Sequence, residues 1–507
     1  MPDTSVNNKR IAKNTLFLYL RMIVVMGIGL YTVRAILDLL GVVDYGIYNV
    51  VGGVVSMFSF INSTLATSSQ RYFSIELAKD DQERLNKWFC LNITTFAIFI
   101  VIFLIIAETV GLWFVNTQMT IPQERMYAAN IVYQFSIITF CIHFFSIPYN
   151  ALIIAHEKMG AFAYISIVEA ISKLAIVFVL SIITWDKLII YALLMFITSC
   201  GITLFYVLYN KKKFSETKFR PYWNKKEMIE LLSFSGWHFL GTFSIVIRSQ
   251  GINILINMFF SPAVNAARAV AYQVYHAVSQ LSSNFFVAVK PQIYKSYASN
   301  DYEAMYKLIL RSSLLTSFLV SILIYPILAN TPYILSLWLK EVPNYAIIFT
   351  QLVMINGLID SINGPTAAAM LATGKIRNYE LLIGGGILLN LPISYVALKL
   401  GADPTATLYV SIAVSVCVTF MRAILLCKAI GLSFKRYAIM FSKLSVGSCI
   451  IWVCIYFTVY NSANVLWQLL VYSLFTLSIV IAFYLMIVFD RSDVSYMVTF
   501  IRKKIGK

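Results

Sequence analysis

Long apolar stretches separated by short polar connections run along almost the whole chain. A helix of about 20 apolar residues crosses the hydrocarbon core of a bilayer. Fourteen such stretches therefore predict an all-α, polytopic membrane protein with 14 transmembrane helices. The predicted spans are 14–38, 43–66, 88–115, 126–154, 160–183, 187–209, 230–258, 263–288, 306–328, 345–370, 378–399, 404–427, 440–461 and 464–489.

Basic residues are distributed unevenly over the connections between these spans. Most of the 40 Lys and Arg residues lie in the N-terminal segment, the even-numbered connections and the C-terminal tail. The odd-numbered connections are assigned Arg125, Lys187, Lys340 and Lys399. Because Lys and Arg are retained on the cytoplasmic side, both termini are predicted to be cytoplasmic.

A basic connection at Asn210–Glu230 separates six predicted spans from six more, and two further spans close the chain. This order is typical of a duplicated transporter. A weak repeat supports it, because a shift of 220 residues aligns Ala78 with Ala298, Asp81 with Asp301 and Lys87 with Lys307. The predicted domains are an N-terminal six-helix bundle (1–210), a basic cytoplasmic linker (211–229), a C-terminal six-helix bundle (230–430), and helices 13 and 14 with a basic cytoplasmic tail (431–507).

Composition excludes several classes of protein. With 59% hydrophobic residues, the 507-residue chain is not expected to be a soluble globular protein. The net charge of +17 fits short loops facing anionic lipid headgroups, and no motif supports binding to nucleic acid. The seven Cys and four His residues lack the spacing of metal ligands, so no metal or other cofactor is expected.

The longest outer connection, about Ala329–Asn344, is expected to be a loop.

Three arginines lie well inside predicted spans, where a charge costs at least ~2.5–3.5 kcal/mol. They are Arg21, Arg248 and Arg268, and none has a carboxylate three or four residues away in its own helix. Polar residues share or broaden the helical face of Arg268: Asn265, Tyr272, Gln273, Tyr275, His276, Ser279, Gln280, Ser283 and Asn284. Either the arginines bridge backbone carbonyls and helix ends, or they form a cationic lumen that grips an anionic headgroup.

Carboxylates at membrane depth suggest ion coupling or gating. Glu169 and Lys173 lie four residues apart on one face of the fifth span, as a structural pair or as a titrating pair. Asp360 shares a face of the tenth span with Asn356 and Asn363. It is expected to carry a proton, to hold Na⁺, or to pair with one of the arginines.

Other charged residues at membrane depth receive a structural interpretation. Glu108, Arg311, Glu380 and Arg422 lie near the ends of predicted spans, where a long side chain reaches the interface. The histidines at 143, 156, 238 and 276 show no mutual spacing for a metal ion. None of these residues is assigned to the site.

Three connections carry motifs of a known family. Arg34 and the run 41–48 (GVVDYGIY) resemble the entry motif of bacterial polysaccharide repeat-unit exporters. The run 155–159 (AHEKM) and the residues Pro291, Tyr294, Tyr297 and Ala298 fit the same pattern. The chain thus resembles the group within the multidrug, oligosaccharidyl-lipid and polysaccharide exporter superfamily that includes O-antigen flippases.

The resemblance implies two six-helix bundles that alternate between inward-open and outward-open states in the bacterial inner membrane. The substrate would be an undecaprenyl-diphosphate-linked oligosaccharide, moved from the cytoplasmic to the periplasmic leaflet. Arg21, Arg248 and Arg268 would bind the diphosphate, and Tyr272, Tyr275 and Ser279 the sugars. Asp360, Glu169 and Lys173 would couple transport to H⁺ or Na⁺ or gate it.

Other features of the resemblance concern energy, partners and cargo. A GxxxxGK[ST] motif is absent, so the energy is expected from an ion gradient or the membrane potential. Membrane lipids and other polysaccharide-assembly proteins are the implied partners. Lipid II flippases carry several basic residues in their first two helices, whereas only Arg21 lies deep in that part of this chain. Lipid II is therefore the less expected cargo.

Two alternative functions stay open. A multidrug or toxin extruder of the same superfamily would favour an acidic, aromatic cavity for cations. A polytopic glycosyl-transfer enzyme, such as a polymerase or ligase, would carry catalytic residues on sizeable periplasmic loops. The short outer connections and the unpaired arginines favour a transporter that is not an enzyme.

The predicted topology can be tested by a reporter fused after Asn210. Because the basic linker is predicted to be cytoplasmic, alkaline phosphatase fused there should be inactive and green fluorescent protein should be fluorescent. The same reporters fused after Ile183, in an odd-numbered connection, should give the opposite pattern. Periplasmic activity at Asn210 would contradict the topology.

Overall fold

The computed structural model describes residues 4–56, 59–117, 119, 121–260, 262–339, 342–431, 433–458 and 466–488. In these ranges the chain forms helices and connecting turns, with no β-strand. The α-helices are α1 (Thr4–Ser56), α2 (Ser59–Ala78), α3 (Gln82–Ile106), α4 (Leu112–Thr117), α5 (Met126–Ala155), α6 (Met159–Ile182), α7 (Lys187–Lys213), α8 (Lys225–Phe259), α9 (Pro262–Ala298), α10 (Tyr302–Trp338), α11 (Ala346–Asp360), α12 (Asn363–Thr373), α13 (Arg377–Leu388), α14 (Asn390–Lys399), α15 (Ala406–Ile430), α16 (Phe434–Thr458) and α17 (Leu466–Phe483).

The helices confirm a polytopic, all-α membrane protein. Within the described ranges, ten helices are long and apolar enough to cross a membrane, or eleven if the bent pair α11–α12 forms one span. Helix α9 is not among them, because its many polar residues lower its mean hydropathy. The total of 14 spans therefore stays a prediction. The predicted basic tail and Lys340 lie outside the described residues.

Two compact units divide the chain, Met1–Phe239 (unit 1) and Leu240–Lys507 (unit 2). Each unit has its own buried core. In unit 1, the Trp88 ring of α3 stacks on Tyr72 of α2 with their centroids 4.0 Å apart. In unit 2, the hydroxyl groups of Tyr484 and Ser317 form a buried hydrogen bond of 2.8 Å. The domain limits predicted from the sequence stay predictions.

The run 41–48 joins an ion-pair network at one end of unit 1. Gly41 interrupts α1 with φ 76° and ψ 168°, a backbone conformation that residues with a Cβ rarely adopt. Arg125 donates two hydrogen bonds to the Asp44 carboxylate, at 2.9 and 2.6 Å. It also donates to Asp186 at 2.6 Å, and Asp186 caps α7 by accepting from the N–H of Leu188 at 3.1 Å. This Asp44–Arg125–Asp186 clamp connects α1, the start of α5 and α7.

The basic linker is docked onto unit 1 through its backbone and one buried carboxylate. Asn86 of α3 donates to the Glu216 carbonyl at 2.6 Å. The Glu216 carboxylate lies 2.5 Å from Nε2 of His156, in the turn between α5 and α6. The next residue, Glu157, forms an ion pair with Arg10 of α1 at 2.7 Å. The run 155–159 therefore holds both α1 and the linker.

The repeat predicted by the 220-residue shift is confirmed at two equivalent turns. Helices α3 and α10 begin 220 residues apart, at Gln82 and Tyr302. Asp81 and Asp301 cap them by accepting from the backbone N–H three residues further on, at 2.9 and 3.1 Å. The residues just before these caps, Asp80 (φ 56°) and Asn300 (φ 57°), both have a left-handed backbone conformation. Each helix then carries an i,i+4 ion pair, Glu83–Lys87 in α3 and Glu303–Lys307 in α10. The same local chemistry thus starts corresponding helices in both units.

The expectation of a loop over 329–344 is wrong for its first part, because α10 continues to Trp338. Pro332 has no N–H to donate to the Leu328 carbonyl, which would normally end or kink a helix. The hydroxyl group of Thr331 donates to the Ile327 carbonyl at 2.7 Å and makes only a long contact of 3.4 Å with the Leu328 carbonyl. The backbone is kinked at Asn330 (φ −121°, ψ 21°), and helical structure resumes beyond it.

The clamp should contribute to the stability of unit 1. We expect Arg125→Ala to destabilise the protein by roughly 1–3 kcal/mol, because two carboxylates lose a charged hydrogen-bond donor. The melting temperature of the purified protein in detergent measures the effect. Lys87→Ala, which removes an exposed i,i+4 pair, is the control and should change stability by less than about 0.5 kcal/mol.

The pH dependence of this effect has a definite sign. Hydrogen bonds from Arg125 hold the pKa of Asp186 below its ordinary value of 3.8, although burial acts in the opposite direction. The stabilisation through Asp186 is therefore complete above about pH 3.8 and is lost as the pH falls through the lower folded value. The difference in melting temperature between wild type and Arg125→Ala should shrink over that range, and a constant difference would contradict the role of Asp186.

Candidate functional site

A break between two apolar helices positions the Asp360 carboxylate in unit 2. Helix α11 ends at Asp360 and α12 begins at Asn363, with an angle of 42° between them. Inside a membrane, a carbonyl freed by such a break needs another partner. The Ile362 carbonyl accepts a hydrogen bond from Ser313 of α10 at 3.1 Å. Asp360 accepts one from the side-chain amide of Asn356 at 2.8 Å and a longer one from Asn363 at 3.5 Å.

Two guanidinium groups from other helices act on this carboxylate. Arg248 of α8 and Arg422 of α15 both interact electrostatically with Asp360, and Ser415 of α15 lies close to it. Arg422 also donates to the hydroxyl group of Tyr379 at 2.7 Å. We call Asp360, Asn356, Asn363, Ser415, Arg248 and Arg422 the Asp360 cluster. With two guanidinium groups near one carboxyl group, the cluster is positively charged whether or not Asp360 is ionised.

Two residues that the sequence placed at the interface are held inside unit 2. Glu380 is only 6% exposed, so its side chain does not extend to the interface as expected. Its carboxylate lies so close to Gly241 of α8 that a Cβ there would not fit. Arg422 is half-buried and belongs to the Asp360 cluster. The sequence assigned both side chains to the membrane interface because each residue lies within about two turns of a helix end.

Arg268 bridges α8 and α9. Its side chain is 5% exposed and donates a hydrogen bond to the side chain of Asn253 in α8. The guanidinium carbon lies 4.5 Å from the centre of the Tyr272 ring. Arg268 thus joins the two helices through a side-chain amide and an aromatic ring, where the structural interpretation named backbone carbonyls and helix ends. A role in substrate binding stays a prediction, and Nε of Arg268 has no hydrogen-bond partner among the described residues.

The other predicted sugar-binding residues lie on the same face of α9 as Arg268. Tyr272, Tyr275 and Ser279 are all half-buried. Tyr275 packs so closely on Gly357 of α11 that a Cβ at that position would clash with the ring. The Ser279 hydroxyl donates to the His276 carbonyl at 3.0 Å. Packing against α11 therefore fixes the rotation of α9 about its axis.

Unit 1 holds the remaining predicted site residues. Arg21 of α1 lies over the Phe162 ring of α6, with its guanidinium carbon 4.6 Å from the ring centre. It also interacts electrostatically with Tyr206 and Glu169. Nζ of Lys173 lies 2.6 Å from Oε1 of Glu169, which confirms the predicted pair. Gating by that pair stays a prediction.

Sequence reasoning missed His143 of α5 as a neighbour of this pair. Its charged neighbours are Glu169 and Lys173, and Nε2 lies 3.1 Å from the hydroxyl group of Ser199 in α7. The sequence spacing of the histidines bears only on metal binding and not on their neighbours in other helices. Contacts between α5, α6 and α7 leave no signal in a single sequence, because 56 residues separate His143 from Ser199. Within the described ranges, no three His, Cys, Asp or Glu residues come together as they would around a metal ion.

The fold is similar to those of solved transporters. An outward-facing multidrug resistance MATE family transporter of the MOP superfamily matches with a TM-score of 0.73 and 11% identity, over 84% of this chain and 96% of its own. A variant of the Vibrio cholerae MATE transporter VcmN matches with a TM-score of 0.71 and 14% identity, over 85% and 98%. A Pyrococcus furiosus MOP superfamily transporter, described as having a binding pocket of reverse polarity, matches with a TM-score of 0.67 and 11% identity, over 83% and 97%. Identities this low show a shared fold alone.

Sequence comparison identifies the family. No curated protein matches the chain significantly. The model of the family described as "Polysaccharide biosynthesis protein" matches residues 11–297, which is more than half of the 507 residues. The resemblance predicted from the connecting motifs is thereby confirmed: the chain belongs to the polysaccharide biosynthesis protein family and has the fold of MOP superfamily transporters.

Proposed function

We propose that the protein is a flippase for undecaprenyl-diphosphate-linked oligosaccharide repeat units. It moves them from the cytoplasmic to the periplasmic leaflet of a bacterial inner membrane by alternating access. The observation that carries this proposal is the positively charged Asp360 cluster within the apolar helices of a polysaccharide-biosynthesis protein. A diphosphate is the part of such a substrate that needs fixed positive charge at that depth.

In this mechanism Arg248 is the principal phosphate ligand. It is half-buried, whereas Arg268 is almost completely buried between Asn253 and Tyr272. Guanidinium stays charged at any physiological pH and can donate two parallel hydrogen bonds to a phosphate. Arg268 and Arg21 add positive potential, each in its own unit. Tyr272, Tyr275 and Ser279 offer rings and a hydroxyl group to the sugars.

Coupling follows from competition for Arg248. While Asp360 is ionised, its carboxylate attracts the guanidinium group that the diphosphate needs. A proton or Na⁺ at Asp360 cancels that attraction and frees Arg248 for the substrate, so ion and substrate binding are linked. The Glu169–Lys173 pair is the corresponding gating element of unit 1. Because the ion would leave the cytoplasm together with the substrate, an inward ion gradient opposes this step. Of the two predicted sources of energy, the membrane potential fits, since the diphosphate carries negative charge outwards.

The alternatives are less well supported by the residues present. A multidrug extruder is favoured by the multidrug resistance transporter that shares this fold. A cationic drug, however, would be repelled by a cluster in which guanidinium groups outnumber carboxylates. A glycosyl-transfer enzyme would need catalytic groups on large outer loops, which the short outer connections do not provide. We therefore propose a transporter without enzymatic activity, with 14 spans and both termini cytoplasmic.

If Arg248 binds the diphosphate, Arg248→Ala should abolish export, and Arg248→Lys should retain part of it because a point charge remains. Surface polysaccharide and accumulation of the lipid-linked precursor in the inner leaflet measure export. Arg436→Ala, which changes an exposed arginine of unit 2, is the control and should export normally. Normal surface polysaccharide in a membrane-inserted Arg248→Ala protein would remove Arg248 from the site.

If Asp360 carries the coupling proton, Asp360→Asn should make transport slower and independent of a pH gradient, because the neutral amide cannot titrate. Flux of the lipid-linked substrate in proteoliposomes, with and without an imposed pH gradient, measures this. The control Glu83→Gln removes an exposed carboxylate of α3 and should leave the gradient dependence unchanged. An unchanged pH dependence in Asp360→Asn would exclude the proton role.

A further inference from the structure

Helix α9 has an exposed face made of small and polar side chains. Its exposed members are Ala269, Gln273, His276, Gln280 and Ser283. The spacing of four, three, four and three residues places them on one side of the helix. From Gln273 to Ser283 the polar part extends over about 15 Å, at 1.5 Å per residue. This face differs from the one that carries the buried Arg268 and the half-buried Tyr275.

Lipid does not explain this face. No large hydrophobic side chain is exposed on α9 in the part that the structure describes. In α6, by contrast, Phe178 and Ile182 are 57% and 81% exposed, as expected for a helix in contact with acyl chains. Polar side chains in contact with hydrocarbon would be costly, so they are expected to meet water or a polar ligand.

The rotation of α9 is fixed by contacts on its other sides. Tyr275 packs on Gly357, and Arg268 is bound to Asn253. A rotation that covered Gln273 and Gln280 would therefore break buried contacts of unit 2. The exposure of the polar face is a consequence of how unit 2 packs.

The chemistry of the face selects one kind of ligand. Gln273 and Gln280 each offer two donor hydrogens and an acceptor oxygen, and no hydrogen bond joins either amide to another described residue. His276 adds ring nitrogens, and Ser283 keeps acceptor capacity although its hydroxyl group donates to the Ser279 carbonyl at 3.0 Å. The face carries no carboxylate, Lys or Arg. It is therefore suited to an uncharged ligand rich in hydroxyl groups rather than to a phosphate or an apolar drug.

We infer that this face of α9 binds the sugar chain of the lipid-linked substrate and contributes to the selection of the glycan. The inference rests on the proposed function, because the sugar chain arrives attached to the diphosphate. Within unit 2, the arginines bind the diphosphate, which is the same in all such substrates. The sugars, which vary, are contacted by Gln273, His276, Gln280 and Ser283.

The test uses the full-length protein in nanodiscs and two probes. One is undecaprenyl diphosphate without sugar, and the other is the lipid-linked saccharide extracted from cells that lack this protein. Binding of both probes is compared in wild type and in a Gln273→Leu/Gln280→Leu variant. Leucine keeps the approximate size of the side chain, removes its hydrogen bonds and would be tolerated on a face that contacts lipid.

We expect the double variant to bind the glycosylated probe about tenfold more weakly, since two hydrogen-bonding side chains are lost, and to bind undecaprenyl diphosphate like wild type. The control Gln82→Leu/Gln123→Leu changes two exposed glutamines outside α9 and should bind both probes like wild type. Unchanged binding of both probes by the α9 variant, or an equal loss for both, would overturn the inference and leave the proposed function standing. If wild type binds neither probe, the proposed function itself fails.

Discussion

Removal of charge from water is the constraint on which the interior of this protein depends. An ionised side chain among apolar helices costs several kcal/mol unless another group compensates it. Compensation takes a different form at each deep charge. Glu169 and Lys173 neutralise each other within one helix. Arg268 donates to the side-chain amide of Asn253 and lies over the Tyr272 ring. Asp360 lies among amides, a hydroxyl group and two guanidinium groups. In the Asp360 cluster two guanidinium groups lie near one carboxyl group, so the charges are left unbalanced.

Helix breaks and close helix packing supply the geometry that this compensation needs. The α11–α12 break brings two asparagines to Asp360, and the released Ile362 carbonyl is bound by a serine of α10. Gly241 and Gly357 let Glu380 and Tyr275 approach neighbouring backbones more closely than any Cβ would allow. Small residues at such crossings are typical of membrane helices, which associate through close packing and hydrogen bonds. Polar residues are therefore brought together by the same contacts that hold the bundle.

The fold of this protein does not by itself identify its substrate. Transporters with only 11% identity share its fold, including multidrug transporters. A fold of this kind accommodates different substrates, so the substrate has to be argued from the chemistry of the site. Family membership indicates polysaccharide biosynthesis, and the charge of the Asp360 cluster and the neutral polar face of α9 agree with a ligand that has a charged and a sugar part.

The sequence by itself determined the features that depend on near neighbours along the chain. Apolar length predicted an all-α, polytopic membrane protein, spacing of four residues predicted the Glu169–Lys173 pair, and a 220-residue shift found the two turns capped by Asp81 and Asp301. Only the tertiary structure decided that Arg422 and Ser415 surround Asp360, that His143 lies near Glu169, and that Glu380 is buried. It also decided which face of α9 is exposed and that helical structure resumes after the kink of α10 at Asn330. The physical reason is that these outcomes depend on contacts between helices far apart in sequence, and a single sequence does not record such contacts.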